Sequence, residues 1–142
     1  MKIMLRRATE ADAKYAASLL TELGYPSTET EARNRLAGLL RSATSYCLVA
    51  ESAAEVIGLI SAELVFFFTT GSTICRITSL VVSSQHRGLG LGQKLLAAAT
   101  EFAREHHCSG VELTSAEGRV DAHRFYGRLG FSRTSFRFFQ KL

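Results

Sequence analysis

Tryptophan is absent from this chain, proline occurs once and cysteine three times. The single proline, Pro26 in Leu23-Gly24-Tyr25-Pro26, marks one break between two helical stretches, which excludes a Pro-rich linker. Cys47, Cys75 and Cys108 follow no metal or disulfide spacing, and their odd number fits a reducing compartment. No apolar run approaches the roughly 20 residues of a membrane span. Met1 to Thr9 holds Lys2, Arg6 and Arg7 but no apolar stretch of a secretory signal. Long runs of like charge are also missing, although Arg6-Arg7 and Arg133, Arg137 and Lys141 are locally basic. The 17 Lys and Arg against 13 Asp and Glu leave a net charge of +4. That excess is too small and scattered for nucleic acid, yet it suits an anionic ligand such as a phosphorylated cofactor. The expectation is a soluble cytoplasmic protein with no nucleic-acid or membrane partner.

What remains is ordinary for a globular chain. Hydrophobic residues are 46% and charged residues 21% of 142, enough for one domain, 1–142, with its own core. Residues 2–7 predict a short strand. Thr9-Glu10-Ala11-Asp12 resembles a capping box, followed by Tyr15, Leu19, Leu20 and Leu23 at near-helical spacing. Thr28 and Glu31 cap a helix over 28–41, with Ala32, Leu36, Leu39 and Leu40 as its buried stripe. Strands are predicted over 45–50, 56–68 and 73–82, the last two joined by a Gly-containing turn. A helix over 93–107 buries Leu95, Leu96, Ala99, Phe102 and Ala103, and Gly110 follows its end. A strand over 111–114, a helix over 120–129 closed by Gly130, and a strand over 131–140 complete the order. Strand–helix–strand from 73 to 114 implies one parallel pair in a mostly antiparallel sheet, an α/β (α+β) fold.

The chemistry centres on Arg87-Gly88-Leu89-Gly90-Leu91-Gly92, which follows a strand and opens a helix. Glycines let a backbone approach a ligand closely, and the first N–H groups of a helix are unpaired and partly positive. A diphosphate fits such a turn, with Arg87 and Lys94 adding charge-assisted contacts. A dinucleotide fingerprint fails, because Gln93 or Leu95 stands where the third glycine belongs. A P-loop fails for want of Gly-Lys-Ser/Thr. The alternative is a turn that serves packing alone.

Arg87-x-x-Gly90-x-Gly92 resembles the R/Q-x-x-G-x-G/A signature of the GCN5-related N-acetyltransferases, the GNAT superfamily. Ile77 to Val82 resembles that family's fourth strand. Ala122-His123-Arg124-Phe125-Tyr126-Gly127-Arg128-Leu129-Gly130-Phe131 resembles its A-x-x-F-Y-x-x-x-G-F block. Arg6, Ala8, Thr9 and Asp12 are similar to its opening, so the resemblance covers essentially the whole chain.

The resemblance implies a GNAT fold with four helices and a mixed sheet whose fourth and fifth strands splay around coenzyme A. It implies that backbone groups of Leu80 to Val82 bind the pantetheine and the thioester carbonyl. N–H groups from Leu89 through Leu91, Gly92 and Gln93 to Lys94 hold the pyrophosphate, beside Arg87, Gly88 and Gly90. Phe125 and Arg128 flank the pantetheine or the adenosine end. The implied activity is transfer of acetyl from acetyl-CoA to a primary amine of a small molecule or peptide, with Tyr126 as general acid.

No acid lies in Arg76-Ile77-Thr78-Ser79, where many relatives carry one. Glu63 is the best remaining base, against a solvent-facing role, and Glu112 is a second candidate. A water relay or an amine delivered neutral needs neither. Arg119 is open between binding the cofactor or a substrate carboxylate and pairing with Glu117 or Asp121. Phe66-Phe67-Phe68 points to core or dimer packing, with the lining of an acceptor site as the alternative, and the Phe-rich stretch 131–140 at a sheet end to a homodimer. The rival class is a module that senses acyl-CoA without turnover.

Overall fold

Threonines set the two helices of the first half. The backbone N–H of Thr9 donates to Asp12 Oδ2 at 2.8 Å, which shapes a short 3-10 turn, Glu10–Asp12, leading into α1, Ala13–Leu23. Glu31 N–H donates to Thr28 Oγ1 at 3.1 Å, and Thr28 N–H returns to Glu31 Oε1 at 3.1 Å, the reciprocal box that opens α2, Glu29–Arg41. The computed structural model describes residues 1–115 and 118–142. Five strands, β1 Met4–Arg7, β2 Ser45–Ser52, β3 Glu55–Phe67, β4 Ser72–Val82 and β5 Gly110–Leu113, form one sheet in that order. The other helices are α3, Leu91–Glu105, and α4, Val120–Arg128.

The first four strands pair antiparallel. The fifth runs parallel to the fourth. Ser109 N–H donates to Thr73 O at 2.9 Å, and three residues further along both chains Arg76 bonds Glu112. Glu112 is level with Arg76 and β5 ends one residue later, so Thr78–Val82 runs on beyond it.

The strand period of two sorts the core into two faces. Cys47, Val49, Leu59 and Val81 pack beneath Ala13, Ala16, Ala17 and Leu19 of α1 and Ala32 and Leu36 of α2. The residues between them face α3, where the Tyr46 ring stacks on Phe102 with centroids 3.9 Å apart. Leu95, Leu96, Ala99, Phe102 and Ala103 are all buried, as their spacing predicts. Gly58 lies on this face because it must. A Cβ there would stand 3.2 Å from Leu95 Cδ1 and 3.3 Å from the Val81 carbonyl. Cys47 and Cys75 are buried, which pushes their thiols up to about 12 and about 11, while Cys108 is half-buried. Among the described residues, no helix is long and apolar enough to cross a membrane.

The chain forms two compact units, Met1–Glu112 and Leu113–Leu142. The second contains α4, in which Tyr126 makes edge contacts with Phe125 at 5.4 Å and Phe131 at 5.9 Å.

Four expectations are corrected. The helix expected from Gln93 begins at Leu91, because Gly90 caps it. The strand expected over 131–140 does not form; alternation suits a strand, but a strand exists only through a paired neighbour, and Phe136, Phe138 and Phe139 are exposed. Phe66 and Phe68 are 64% and 93% exposed rather than core. Leu40 lies at 42% exposure, off the buried stripe of α2.

Candidate active site

The far end of β4 offers its backbone to a ligand. Gly58 stands opposite Val82, and Ser83 N–H donates to Ile57 O at 2.8 Å. Gly58 and Val82 are therefore a non-hydrogen-bonded pair, and the N–H and C=O of Val82 point away from β3. The same holds for Leu80, opposite Ile60. Both residues direct their polar groups toward the edge that runs past β5. Val81, between them, directs its backbone to Leu59 and its side chain into the core at 5% exposure. Of Leu80, Val81 and Val82, the geometry leaves only the first and last able to bind through the backbone.

The chain then turns through a 3-10 segment, Ser84–His86, into the exposed stretch Arg87, Gly88, Leu89 and Gly90. Gly88 and Gly90 hold φ of +80° and +78°, conformations costly for any residue with a Cβ. Leu91 is 1% exposed and anchors the start of α3 in the core. The first intrahelical bond runs from Lys94 N–H to Gly90 O at 3.1 Å. The N–H groups of Leu91, Gly92 and Gln93 thus have no acceptor within the helix, whereas that of Lys94 is spent and only its ammonium remains to be offered. Arg87 Nε donates to Val82 O at 3.3 Å, which ties the turn to the strand end.

A second tie was not legible in the sequence. Glu22 of α1 accepts from Ser84 N–H at 3.2 Å and from Ser84 Oγ at 3.0 Å. Sixty-two positions separate the two residues, and no local pattern announces their meeting.

On the α1/α2 face, a polar row crosses the sheet beside this edge. Ser45, Glu63 and Arg76 stand in register on β2, β3 and β4. Glu63 accepts from the Thr44 and Ser45 hydroxyls and turns toward β2. Arg76 turns the other way, donating from Nε and Nη2 to Glu112 Oε1 at 3.1 and 2.9 Å. The two base candidates are thus both engaged, Glu63 by hydroxyls and Glu112 by a guanidinium. A bulge in β4 lies two residues further up. Ser61 faces Ser79 and Ala62 faces Ile77, so Thr78 is the extra residue. The bulge gathers three hydroxyls: Ser61 Oγ meets Thr78 Oγ1 at 2.7 Å and also Ser79 Oγ.

In the second unit, Arg119 is the N-cap of α4, with Phe125, Tyr126 and Arg128 following. Burial pushes the Tyr126 phenol above its ordinary value, and the positive charge of Arg119 works against that rise. The Glu117 considered as a partner of Arg119 lies outside the described residues.

Residues 10–131 match the model of the acetyltransferase (GNAT) family. An aminoalkylphosphonate N-acetyltransferase of Salmonella typhimurium is 35% identical over 139 residues, 97% of this chain and 90% of that protein. Mouse N-acetyltransferase 8B is 35% identical over 86 residues, and there the chain spans only 37% of the relative's length. Among solved structures, a GNAT family acetyltransferase of Staphylococcus aureus superposes with a TM-score of 0.85 at 25% identity, covering all of both chains.

Proposed function

The chain belongs to the acetyltransferase (GNAT) family, and on that premise we propose that it is a cytoplasmic enzyme moving acetyl from acetyl-CoA to a short primary amine. The observation that carries this reading is the pairing of two ligand-ready backbones: the outward groups of Leu80 and Val82, and the unpaired N–H groups of Leu91, Gly92 and Gln93. The first suits the amide-bearing pantetheine arm and the thioester carbonyl. The second suits a diphosphate, which helix N–H groups and their dipole stabilise.

In this reading the amine attacks the thioester carbonyl directly, in a complex of both substrates. Val82 N–H stabilises the developing oxyanion, and Tyr126 supplies a proton to the departing thiolate. Arg87 and Lys94 add positive charge at the turn, and Arg119, Phe125 and Arg128 are the residues that the family resemblance assigns to the cofactor. Glu63 holds the start of β2 rather than acting as base, since both its oxygens face hydroxyls away from β4. A short amine bearing a phosphonate is the first acceptor to try, because the Salmonella relative is named for that class. A homodimer belongs to the same reading, supported by exposed Phe66 and Phe68 at the end of β3.

The test is thiol release from acetyl-CoA across amines, beginning with aminoalkylphosphonates, with cofactor binding followed by calorimetry. Turnover with one class establishes the reaction and its acceptor. Binding without turnover on any amine favours a sensor, and absence of binding overturns the reading.

The glycine turn gives a separate check. Gly90→Ala introduces no collision, since nothing lies within 4 Å of the added Cβ. Its only penalty is the positive φ, about 1 kcal/mol. Relaxing that strain tilts the first N–H groups of α3, so coenzyme A affinity is expected to fall about 5- to 10-fold. Unchanged affinity in a calorimetric titration would show that the turn's backbone shape is not what the cofactor reads.

A further inference from the structure

A transferred acetyl group leaves one problem on the acceptor side. The attacking nitrogen must shed a proton, and the acids nearest β4 are turned elsewhere. We propose that the three hydroxyls at the β4 bulge form a proton relay, with Ser79 receiving the proton, Ser61 passing it on and Thr78 releasing it to solvent. The proposal rests on the acetyltransferase reading above.

The relay is built by the bulge. In a regular strand Thr78 and Ser79 would point to opposite faces; the extra residue brings both hydroxyls to Ser61. Burial is graded along the three: Ser79 is half-buried, Ser61 is 8% exposed, and Thr78 is open to solvent. Ser79 directly precedes Leu80, whose backbone faces the proposed thioester edge. A hydroxyl can donate one hydrogen bond while accepting others, and at both contacts either oxygen can be the donor. A buried hydroxyl bonded on both sides, with one end of the chain wet, is what a one-proton passage requires.

The step balances without another reactant. The nitrogen–carbon bond forms and the carbon–sulfur bond breaks. The nitrogen's proton goes to Ser79 Oγ, whose own proton moves to Ser61 Oγ, whose proton moves to Thr78 Oγ1 and from there to a solvent water. The thiolate is protonated separately, from Tyr126, which takes a proton back from a solvent water. Rotation of the three hydroxyls resets the chain. Ser79 would be catalytic in this scheme, while Ser61 and Thr78 act through it.

The experiment compares wild type, Ser61→Ala and Thr78→Val in steady-state kinetics, with acetyl-CoA affinity measured alongside. Cutting the middle of the relay should lower kcat about 100-fold, the lower end of what a lost proton transfer costs. It should leave the KM for acetyl-CoA and for the amine unchanged, a loss confined to kcat, and Ser61→Thr, which keeps the hydroxyl, should recover most of it. Thr78→Val, on the exposed end where folding is least at risk, should give a smaller loss, also confined to kcat, and Thr78→Ser should recover it. Wild-type kcat in both Ser61→Ala and Thr78→Val overturns the relay while leaving the acetyltransferase reading intact. Should Ser61→Ala lose cofactor binding, Thr78→Val alone decides by the same criterion. A wild-type protein that binds acetyl-CoA and turns over no amine overturns both readings together.

Discussion

Tyr126→Phe is expected to lower kcat about 100-fold and to leave coenzyme A affinity unchanged. The substitution removes one oxygen and keeps the ring, so the edge contacts to Phe125 and Phe131 survive. Only the hydroxyl, the proposed proton donor, is lost. Burial holds the phenol above its ordinary value, so it stays protonated through neutral pH and is available at every turnover. A thiol has a pKa of about 8.5 and a tyrosine about 10, so complete transfer to a free thiolate is uphill by about 2 kcal/mol. On the proposed mechanism the phenol would act as the carbon–sulfur bond breaks, stabilising charge as it gathers on sulfur. Rate–pH profiles test this: wild-type kcat should fall at alkaline pH as the phenol ionises, and the variant should lose that limb. Equal kcat in wild type and variant would remove Tyr126 from the chemistry.

The largest loss of stability is expected from Asp12→Ala. Arg6 grips Asp12 through two bonds, Nη2 to Oδ1 at 2.8 Å and Nη1 to Oδ2 at 2.9 Å, and reaches Glu51 at 3.1 Å. The same carboxylate holds the Thr9 N–H, and Asp12 is only 5% exposed. Removing it strands a guanidinium and a backbone donor at the junction of β1 and α1. Breaking a buried pair costs about 3–5 kcal/mol, and the lower end applies because Arg6 keeps Glu51 and some water. A loss of about 3 kcal/mol lowers the melting temperature of a chain this size by roughly 10 °C. The pH dependence has a definite sign. The Arg6 hydrogen bonds hold the Asp12 carboxyl below its usual range, so its contribution is complete above the unfolded value of about 3.9 and fades as pH falls through the folded one. Thermal melts should show the full gap between wild type and variant at neutral pH and a narrowing gap in acid. A gap that does not change with pH would mean the carboxylate's charge is not what stabilises the junction.

What could be read from the chain follows how local each determinant is. Thr9 with Asp12 and Thr28 with Glu31 lie three residues apart; the first pair opens the 3-10 turn that leads into α1, and the second opens α2 directly. The stripe from Leu95 to Ala103 is legible because one helix has one period. The glycine turn is legible because positive φ restricts residue choice directly. The bulge at Thr78 is not, since it is a mismatch in count between two strands and appears only once β3 and β4 are paired. Glu63 shows the same limit: alternation assigns its face of the sheet, but its turn toward Thr44 depends on where β2 begins. The failed strand over 131–140 is the converse case, a suitable pattern without the hydrogen-bonded neighbour that makes it a strand.

The placement of the cysteines decides how cleanly this protein can be assayed. Thiol reagents attack the thiolate, and Cys47 and Cys75 are buried with their thiols pushed up to about 12 and about 11. In the folded chain only half-buried Cys108 should colour such a reagent, and unfolding in denaturant should raise the yield to three per chain. The protein's own background is then a small fixed offset, and on the proposed reaction the thiol counted during turnover would be coenzyme A. A folded-state yield approaching three would instead report that the sheet opens on the time scale of the assay.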